Sequence, residues 1–217
     1  MSSPAYSAVL FDLDGVIIDS MPYHFFAWYE ALKKYGITVN TQDIYEHEGE
    51  KWDSTLQTLA KQSGQKLTDQ TALKIFQYRQ KIFHKIFKCH LMPGLPELIA
   101  ELKNKGYRLG IVSGTPSTDI KKLLPPKLLK LFDCLVGGDT VAQGKPAPEP
   151  YRQAAQLLGL TPEKCLAIEN SPLGIASAKS AGCFCLAVTT SLPENYLKKA
   201  DVLCPLKNLR EVLLNLL

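Results

Sequence analysis

Apolar positions repeat along the chain with two different periods. Short runs that are apolar on both faces occur at 8–11, 109–112, 134–136, 165–168, 184–188 and 202–204, each closed by a polar or Gly/Pro-rich turn. Such runs predict strands of a parallel sheet buried under helices on both sides. Between them apolar residues recur at helical spacing, as in 95–105, stopped by Gly106, and 149–158, stopped by Gly159. This alternation predicts an α/β fold with a Rossmann-like parallel-sheet core.

From about residue 20 to residue 92 the strand signal disappears and one helix follows another. Ser20-Met21-Pro22 reads as a capping residue and a helix-starting proline. Phe25, Trp28, Tyr29 and Leu32 then form a stripe that runs out at Gly36. Asp53 and Thr68 are expected to cap two further helices, and Leu73, Phe76, Phe83 and Phe87 mark a packing face before Met92-Pro93-Gly94 ends the segment. The expected organisation is a core of residues 1–19 and 93–217 with an all-helical cap, 20–92, inserted after the first strand. Two short tethers would let this cap open and close as a lid.

Composition narrows the class further. With 217 residues, 46% hydrophobic and 21% charged, the chain is ordinary globular protein, large enough for one large domain or two small ones. The net charge of +4 comes from scattered lysines, which predicts a solvated surface and no nucleic-acid partner. Six cysteines, at 89, 134, 165, 183, 185 and 204, include no CxxC pair, so free thiols in a reducing compartment are expected, with no disulfide framework or zinc site. The first residues lack a basic region followed by an apolar stretch, and no run approaches the ~18 apolar residues of a membrane span. A cytoplasmic protein without membrane contact, monomeric or weakly homo-oligomeric, is the expectation.

Ligands of open parallel sheets bind outside the carboxyl ends of strands. Those ends hold Asp12-Leu13-Asp14-Gly15, Ser113-Gly114-Thr115, Lys145-Pro146 and Glu169-Asn170. Carboxylate and carbonyl oxygens suit Mg²⁺, whereas the hydroxyl, backbone N–H groups and lysine suit phosphate oxygens. Converging on one sheet edge, the four pieces predict a phosphoryl-transfer site. Two bland roles stay open: Ser113 and Thr115 as caps of the next helix, and Asn170 as a cap.

Phe11-Asp12-Leu13-Asp14-Gly15-Val16 followed by Asp19 resembles the first motif of the haloacid dehalogenase (HAD) superfamily. Ser113-Gly114-Thr115, Lys145-Pro146 and Glu169-Asn170 are similar, in order and spacing, to its second, third and fourth motifs. The resemblance covers nearly the whole chain, including the insert, which resembles the cap of β-phosphoglucomutase-like members. It implies that Asp12 attacks phosphorus to form an aspartyl-phosphate and that Asp14 protonates the leaving oxygen and later activates water. It implies Mg²⁺ held by Asp12, the Asp14 carbonyl, Glu169 and Asn170, with Ser113, Gly114 and Lys145 binding the phosphoryl group. Members that cleave carbon–halogen bonds or phosphonates lack an acid at the position of Asp14. The fourth motif commonly carries a second acid where Asn170 stands, a departure that bears on metal affinity.

The stretch from Met21 to Trp28 is similar to the start of the β-phosphoglucomutase cap, where the histidine, here His24, is a site residue. A mutase cap carries a substrate-clamping arginine just after a glycine. Gly49-Glu50-Lys51-Trp52-Asp53-Ser54 has none, leaving Lys51 as a substitute and Trp52 as a candidate substrate contact. The implied function is hydrolysis of a small sugar or organic-acid phosphate. A sugar phosphomutase and a catalytically weak binding or regulatory protein are the alternatives. His47, His84 and His90 show no ligand spacing and are expected at the surface or its boundary.

Overall fold

A computed structural model describes residues 6–217, so the first five residues of the expected core, and the start of the chain judged for a leader, lie outside the described residues. Six strands form one parallel sheet: β1 Ala8–Phe11, β2 Arg108–Val112, β3 Cys134–Val136, β4 Cys165–Glu169, β5 Phe184–Val188 and β6 Val202–Cys204. Their order is β3-β2-β1-β4-β5-β6. All six runs read from sequence are strands, with β2 starting one residue earlier and β4 ending one later, so that Glu169 stands on the strand itself. The chain leaves β1 in one direction for β2 and β3 and returns to its other side at β4. That reversal opens a crevice at the carboxyl ends of β1, β2 and β4.

Helices α1 (Met21–Lys33), α2 (Thr41–Tyr45), α3 (Trp52–Gln62) and α4 (Asp69–Ile86) make up the insert. The core helices are α5 (Leu95–Asn104), α6 (Ser117–Leu123), α7 (Pro126–Leu129), α8 (Glu149–Leu157), α9 (Pro172–Ala181), α10 (Glu194–Leu197) and α11 (Leu209–Leu216). Alternation along β1 sends Val9 and Phe11 to one hydrophobic layer, with α5 and α11, and Ala8 and Leu10 to the other, with α8 and α9. The second layer is lined by small residues, Ala8, Ala167 and Ala187 facing Ala154 and Ala178, which lets these helices approach closely. A Cβ on Gly110 would stand 2.7 Å from both Leu10 Cδ2 and Cys134 Sγ, so this strand position has no room for a side chain.

The insert has its own core, in which Trp28, Leu32, Leu56, Leu59 and Ile75 pack together. Its two tethers pair with each other: Asp19 N–H donates to His90 O at 2.8 Å and Met92 N–H to Ile17 O at 2.9 Å. Thr68 caps α4 as expected, its hydroxyl accepting from Thr71 N–H. Asp53 does not cap α3; it is the second helical residue, behind Lys51 at the cap position. Ser20 holds the cap position of α1 but makes no capping bond, because its hydroxyl points at Asp14. All six cysteines are free thiols, with only Cys89 exposed. Among the described residues no helix is long and apolar enough to cross a membrane.

Candidate active site

Asp12 leaves the end of β1, and Lys145 reaches it from the loop before α8. Lys145 Nζ lies 2.6 Å from Asp12 Oδ1 and 2.6 Å from Glu169 Oε1, and all three residues are buried. Tyr151 donates to the same Glu169 oxygen at 2.6 Å. Burial pushes the Asp12 carboxyl up to about 8; Lys145 opposes the shift, and Glu169 and Asp14 add to it. Lys145 is deprotonated less readily than a free lysine, because its two carboxylate partners outweigh burial. Gly174 makes room for the glutamate, since a Cβ there would lie 2.1 Å from the Glu169 carboxyl.

Asp14 is fully buried and faces the insert. Its Oδ1 accepts from Ser20 Oγ at 2.6 Å and lies 2.8 Å from His24 Nε2; Oδ2 accepts from Thr115 Oγ1 at 3.0 Å and Ser113 Oγ at 3.4 Å. Burial works against its ionisation, but His24, Ser20 and Thr115 outweigh it and hold the carboxyl down at about 2. Ser113 and Thr115 therefore serve Asp14 and do not cap α6, whose cap position is Pro116. On the far side of His24, Arg79 Nη2 donates to Nδ1. A guanidinium can only donate, so Nδ1 accepts and Nε2 carries the proton toward Asp14. Burial and then Arg79 lower the basicity of His24, against the pull of Asp14.

The strand ends carry oxygen atoms of the kind a hard cation takes. Asp12 Oδ2 and Asn170 Oδ1 are buried without a hydrogen-bond partner, and the Asp14 carbonyl accepts from the Asn170 amide nitrogen. The Asn170 amide is oriented by donating to Asp14 O at 3.0 Å and to Ser191 Oγ at 2.8 Å, which leaves its oxygen free. The cap of α9 is Ser171, so Asn170 has no capping role. Such oxygens fit Mg²⁺. Asp14, His24 and Glu48 also place ligand atoms within 4.8 Å of one another, but the positive charge at that spot is already supplied by Arg79.

A cavity of about 290 Å³ separates the insert from the strand ends. Trp28, Trp52, Phe76 and Phe83 line it, together with polar groups that include Arg79 and Glu48. Residues 48–51 rest directly on the core. Lys51 Nζ donates to Val141 O and Ala142 O at 2.9 and 2.7 Å, and Ser171 Oγ donates to Glu48 O at 3.2 Å. A Cβ on Gly114 would be 2.7 Å from Gly49 O, and one on Gly49 would be 2.7 Å from Lys145 Cδ. The insert is thus closed over the site.

The sequence profile of the haloacid dehalogenase-like hydrolases matches residues 6–182. Over 192 residues the chain is 31% identical to β-phosphoglucomutase of Bacillus subtilis (strain 168), covering 86% of this chain and 84% of that one. The chain belongs to the haloacid dehalogenase-like hydrolase family. It is also 29% identical to validoxylamine A 7′-phosphate phosphatase of Streptomyces hygroscopicus subsp. limoneus, over 95% of this chain and 96% of the relative. A structure from Bacteroides vulgatus, provisionally named a β-phosphoglucomutase, superposes with a TM-score of 0.88 at 32% identity, covering 99% of this chain and 90% of that one. The chain is therefore a β-phosphoglucomutase-like member of the HAD hydrolases.

In this HAD-family chain Lys145 joins Asp12 to Glu169, while His24, Ser113 and Asn170 meet Asp14, and Gly114 lies against the Gly49 carbonyl. Lys51 lines the cavity, and its ammonium donates to two core carbonyls, so it also latches the insert to the core. Trp52 lines the cavity, stacked on Phe76 with ring centroids 4.2 Å apart. His47 and His84 line the cavity rim, His47 pairing with Glu50 at 3.1 Å. Sequence reasoning missed Arg79, Glu48 and Tyr151. Arg79 had a readable signal: it interrupts the apolar stripe of α4 between Phe76 and Phe83, on the same helical face.

Proposed function

We propose that this enzyme hydrolyses a small phosphate monoester, of the sugar or organic-acid type, through an aspartyl-phosphate on Asp12. The observation that carries the reading is the buried Lys145 held between Asp12 and Glu169, with Asp14 two residues away under a separate set of donors. One carboxylate is placed for attack and the other for proton transfer, a division of labour set by environment. Asp12 Oδ1 or Oδ2 attacks phosphorus, the ester bond breaks, and the leaving oxygen takes a proton from Asp14. Asp14 then draws a proton from the water that hydrolyses the acyl-phosphate. Ser113, the Gly114 N–H and Lys145 hold the transferring phosphoryl oxygens.

At rest the two acids are set opposite to this need, with Asp14 ionised and Asp12 inclined to keep its proton. A phosphate dianion competes for the Thr115 hydroxyl, whose loss would raise the proton affinity of Asp14, while His24 and Ser20 still hold it down. Asp12, Asn170, Glu169 and the Asp14 carbonyl are the residues that would hold Mg²⁺. The ion supplies charge neutralisation at the phosphoryl group and favours ionised Asp12. Residues 20–92 act as the cap that excludes water, and the small metabolite is the partner.

The test is phosphate release from sugar phosphates, phosphoglycolate and p-nitrophenyl phosphate, with Mg²⁺ and with chelator, for wild type and Asp12→Asn. Chelator-sensitive release that Asp12→Asn abolishes is expected. Conversion of β-glucose 1-phosphate to the 6-phosphate without phosphate release would establish a mutase instead. No reaction with any ester would leave a binding protein.

A further inference from the structure

We propose that Lys51 and Glu149 act together as positioning residues for Lys145: from opposite sides they grip the loop that carries it, so that seating of the insert fixes the lysine. The inference rests on the hydrolysis reading above and adds a control on the same site.

Between β3 and α8, residues 137–148 form no strand or helix, so side chains have to hold this backbone. Glu149, the first residue of α8, accepts from Ala142 N–H through Oε1 and from Gln143 N–H through Oε2, both at 2.7 Å. From the insert, Lys51 Nζ donates to Val141 O at 2.9 Å and to Ala142 O at 2.7 Å. Val141 O and Ala142 N belong to one peptide group, and Ala142 O and Gln143 N to the next. Two consecutive peptide groups therefore each stand between the ammonium and the carboxylate, oxygen toward the cation and N–H toward the anion. A trans peptide points these two ends in opposite directions, so the ions act on each other without touching. Each ion polarises the peptide groups in the sense that strengthens their bonds to the other.

Lys145 follows two residues after Gln143, and the same insert loop backs its side chain. A Cβ on Gly49 would lie 2.7 Å from Lys145 Cδ and 3.5 Å from Nζ, so the Gly49 backbone runs along the lysine stem. Gly49 has φ +85°, which glycine adopts without strain. A Cβ on Gly144 would stand 3.0 Å from Lys51 Cγ, which puts the Lys51 stem on the residue just before Lys145. The start of the loop is tied to the core independently, through buried Val141 and through Asp139, which accepts from Ser117. Its later part, 142–145, is where Lys51, Glu149 and Gly49 act. With the insert lifted, Glu149 alone would remain on these peptide groups, and Lys145 would lose its backing.

The test measures deuterium uptake of segments 137–147 and 46–52, and kcat and KM with p-nitrophenyl phosphate and Mg²⁺. It uses wild type, Lys51→Met, Glu149→Gln and the double variant, with uptake of β1 and β4 as the reference for global unfolding. Lys51→Met, a change in the insert, is expected to speed uptake of the core segment by about tenfold, and Glu149→Gln to do the same to 46–52. Each single variant is expected to lose about tenfold in kcat with KM within about threefold, because Lys145 acts on the transferring phosphoryl group. The double variant is expected to lose little more than either single one. Faster uptake confined to the altered residue's own segment, a loss in KM alone, or losses that multiply in the double variant would overturn the proposal. No hydrolysis by wild type would remove the reading beneath it, and the coupling would then stand or fall on uptake of the two segments.

Discussion

Asp12→Asn is expected to make the metal-free protein more stable while abolishing turnover. Asp12, Asp14, Glu48 and Glu169 crowd the strand ends, with Lys145 and Arg79 as their cations. Burial raises the Asp12 carboxyl from 3.8 to about 8 against the opposition of Lys145. Because the folded-state value is the higher one, the folded chain binds this proton more tightly than the unfolded chain does. Stability therefore falls as pH rises from about 4 to about 8 and levels off above that window. At about 1.36 kcal/mol per pKa unit the full effect is at most about 6 kcal/mol. The buried amide of asparagine has its own desolvation cost, so about half of that, ~2–3 kcal/mol, is expected to appear. Lys145 is not orphaned by the change, since Glu169 remains 2.6 Å away. The assay is denaturant unfolding of both proteins in chelator at about pH 5, 7 and 8.5, with the gap widening toward high pH. Added Mg²⁺ is expected to close or reverse the gap, because only wild type keeps the carboxylate ligand. A variant no more stable than wild type near pH 8.5 would refute the reasoning, as would a difference independent of pH.

Three further changes probe other parts of the argument. Asn170→Asp puts a charged oxygen where an unpartnered amide oxygen now lies, and the Mg²⁺ concentration for half-maximal phosphate release is expected to fall about tenfold; an unchanged titration would exclude this side chain as a ligand. Gly114→Ala places a methyl group 2.7 Å from the Gly49 carbonyl, so the cap cannot seat. A loss of about tenfold or more in kcat/KM with little change in thermal midpoint is expected, and unaltered kinetics would show that this contact is not needed. Burial pushes the Cys134 and Cys183 thiols up to about 12 and Cys165 to about 11, while Cys89 is exposed. Thiol titration of the native protein should therefore detect only Cys89 quickly and all six cysteines after denaturation; fast labelling of several native thiols would contradict this packing.

The sheet was legible because its strands are covered on both faces. A run such as Ala8–Phe11 must then be apolar at every position, and its carboxyl end is where polarity abruptly returns. The same abruptness marks Asp12, Ser113 and Glu169 as residues with a task at the sheet edge. Roles that depend on direction were harder to read. Ser20, Ser113 and Thr115 carry the right side chain for helix capping, and composition alone cannot say that their hydroxyls turn to one buried carboxylate. Asp53 shows the reverse error: a good capping residue stands two residues too late, because Lys51 is latched to the core and holds the cap position of α3.

The chemistry of the insert shows why adjacency in sequence misleads in this part of the molecule. The residue next to Gly49 in the expected clamp segment is acidic, and Lys51 just beyond it grips backbone carbonyls 90 and 91 residues away. The arginine that lines the cavity comes from α4 and meets His24 across 55 residues of chain. That pairing requires α1 and α4 to pack face to face, so it is a property of the insert's core and of no local motif. The strand-end residues that handle phosphate are tied to the sheet, whose register is fixed by hydrogen bonding. Glu48 and Arg79 depend instead on how four helices pack and on where a short loop touches the core. Homologues with the same strand-end residues therefore need not share a substrate, because the residues of the insert that face the cavity are positioned by a separate set of contacts.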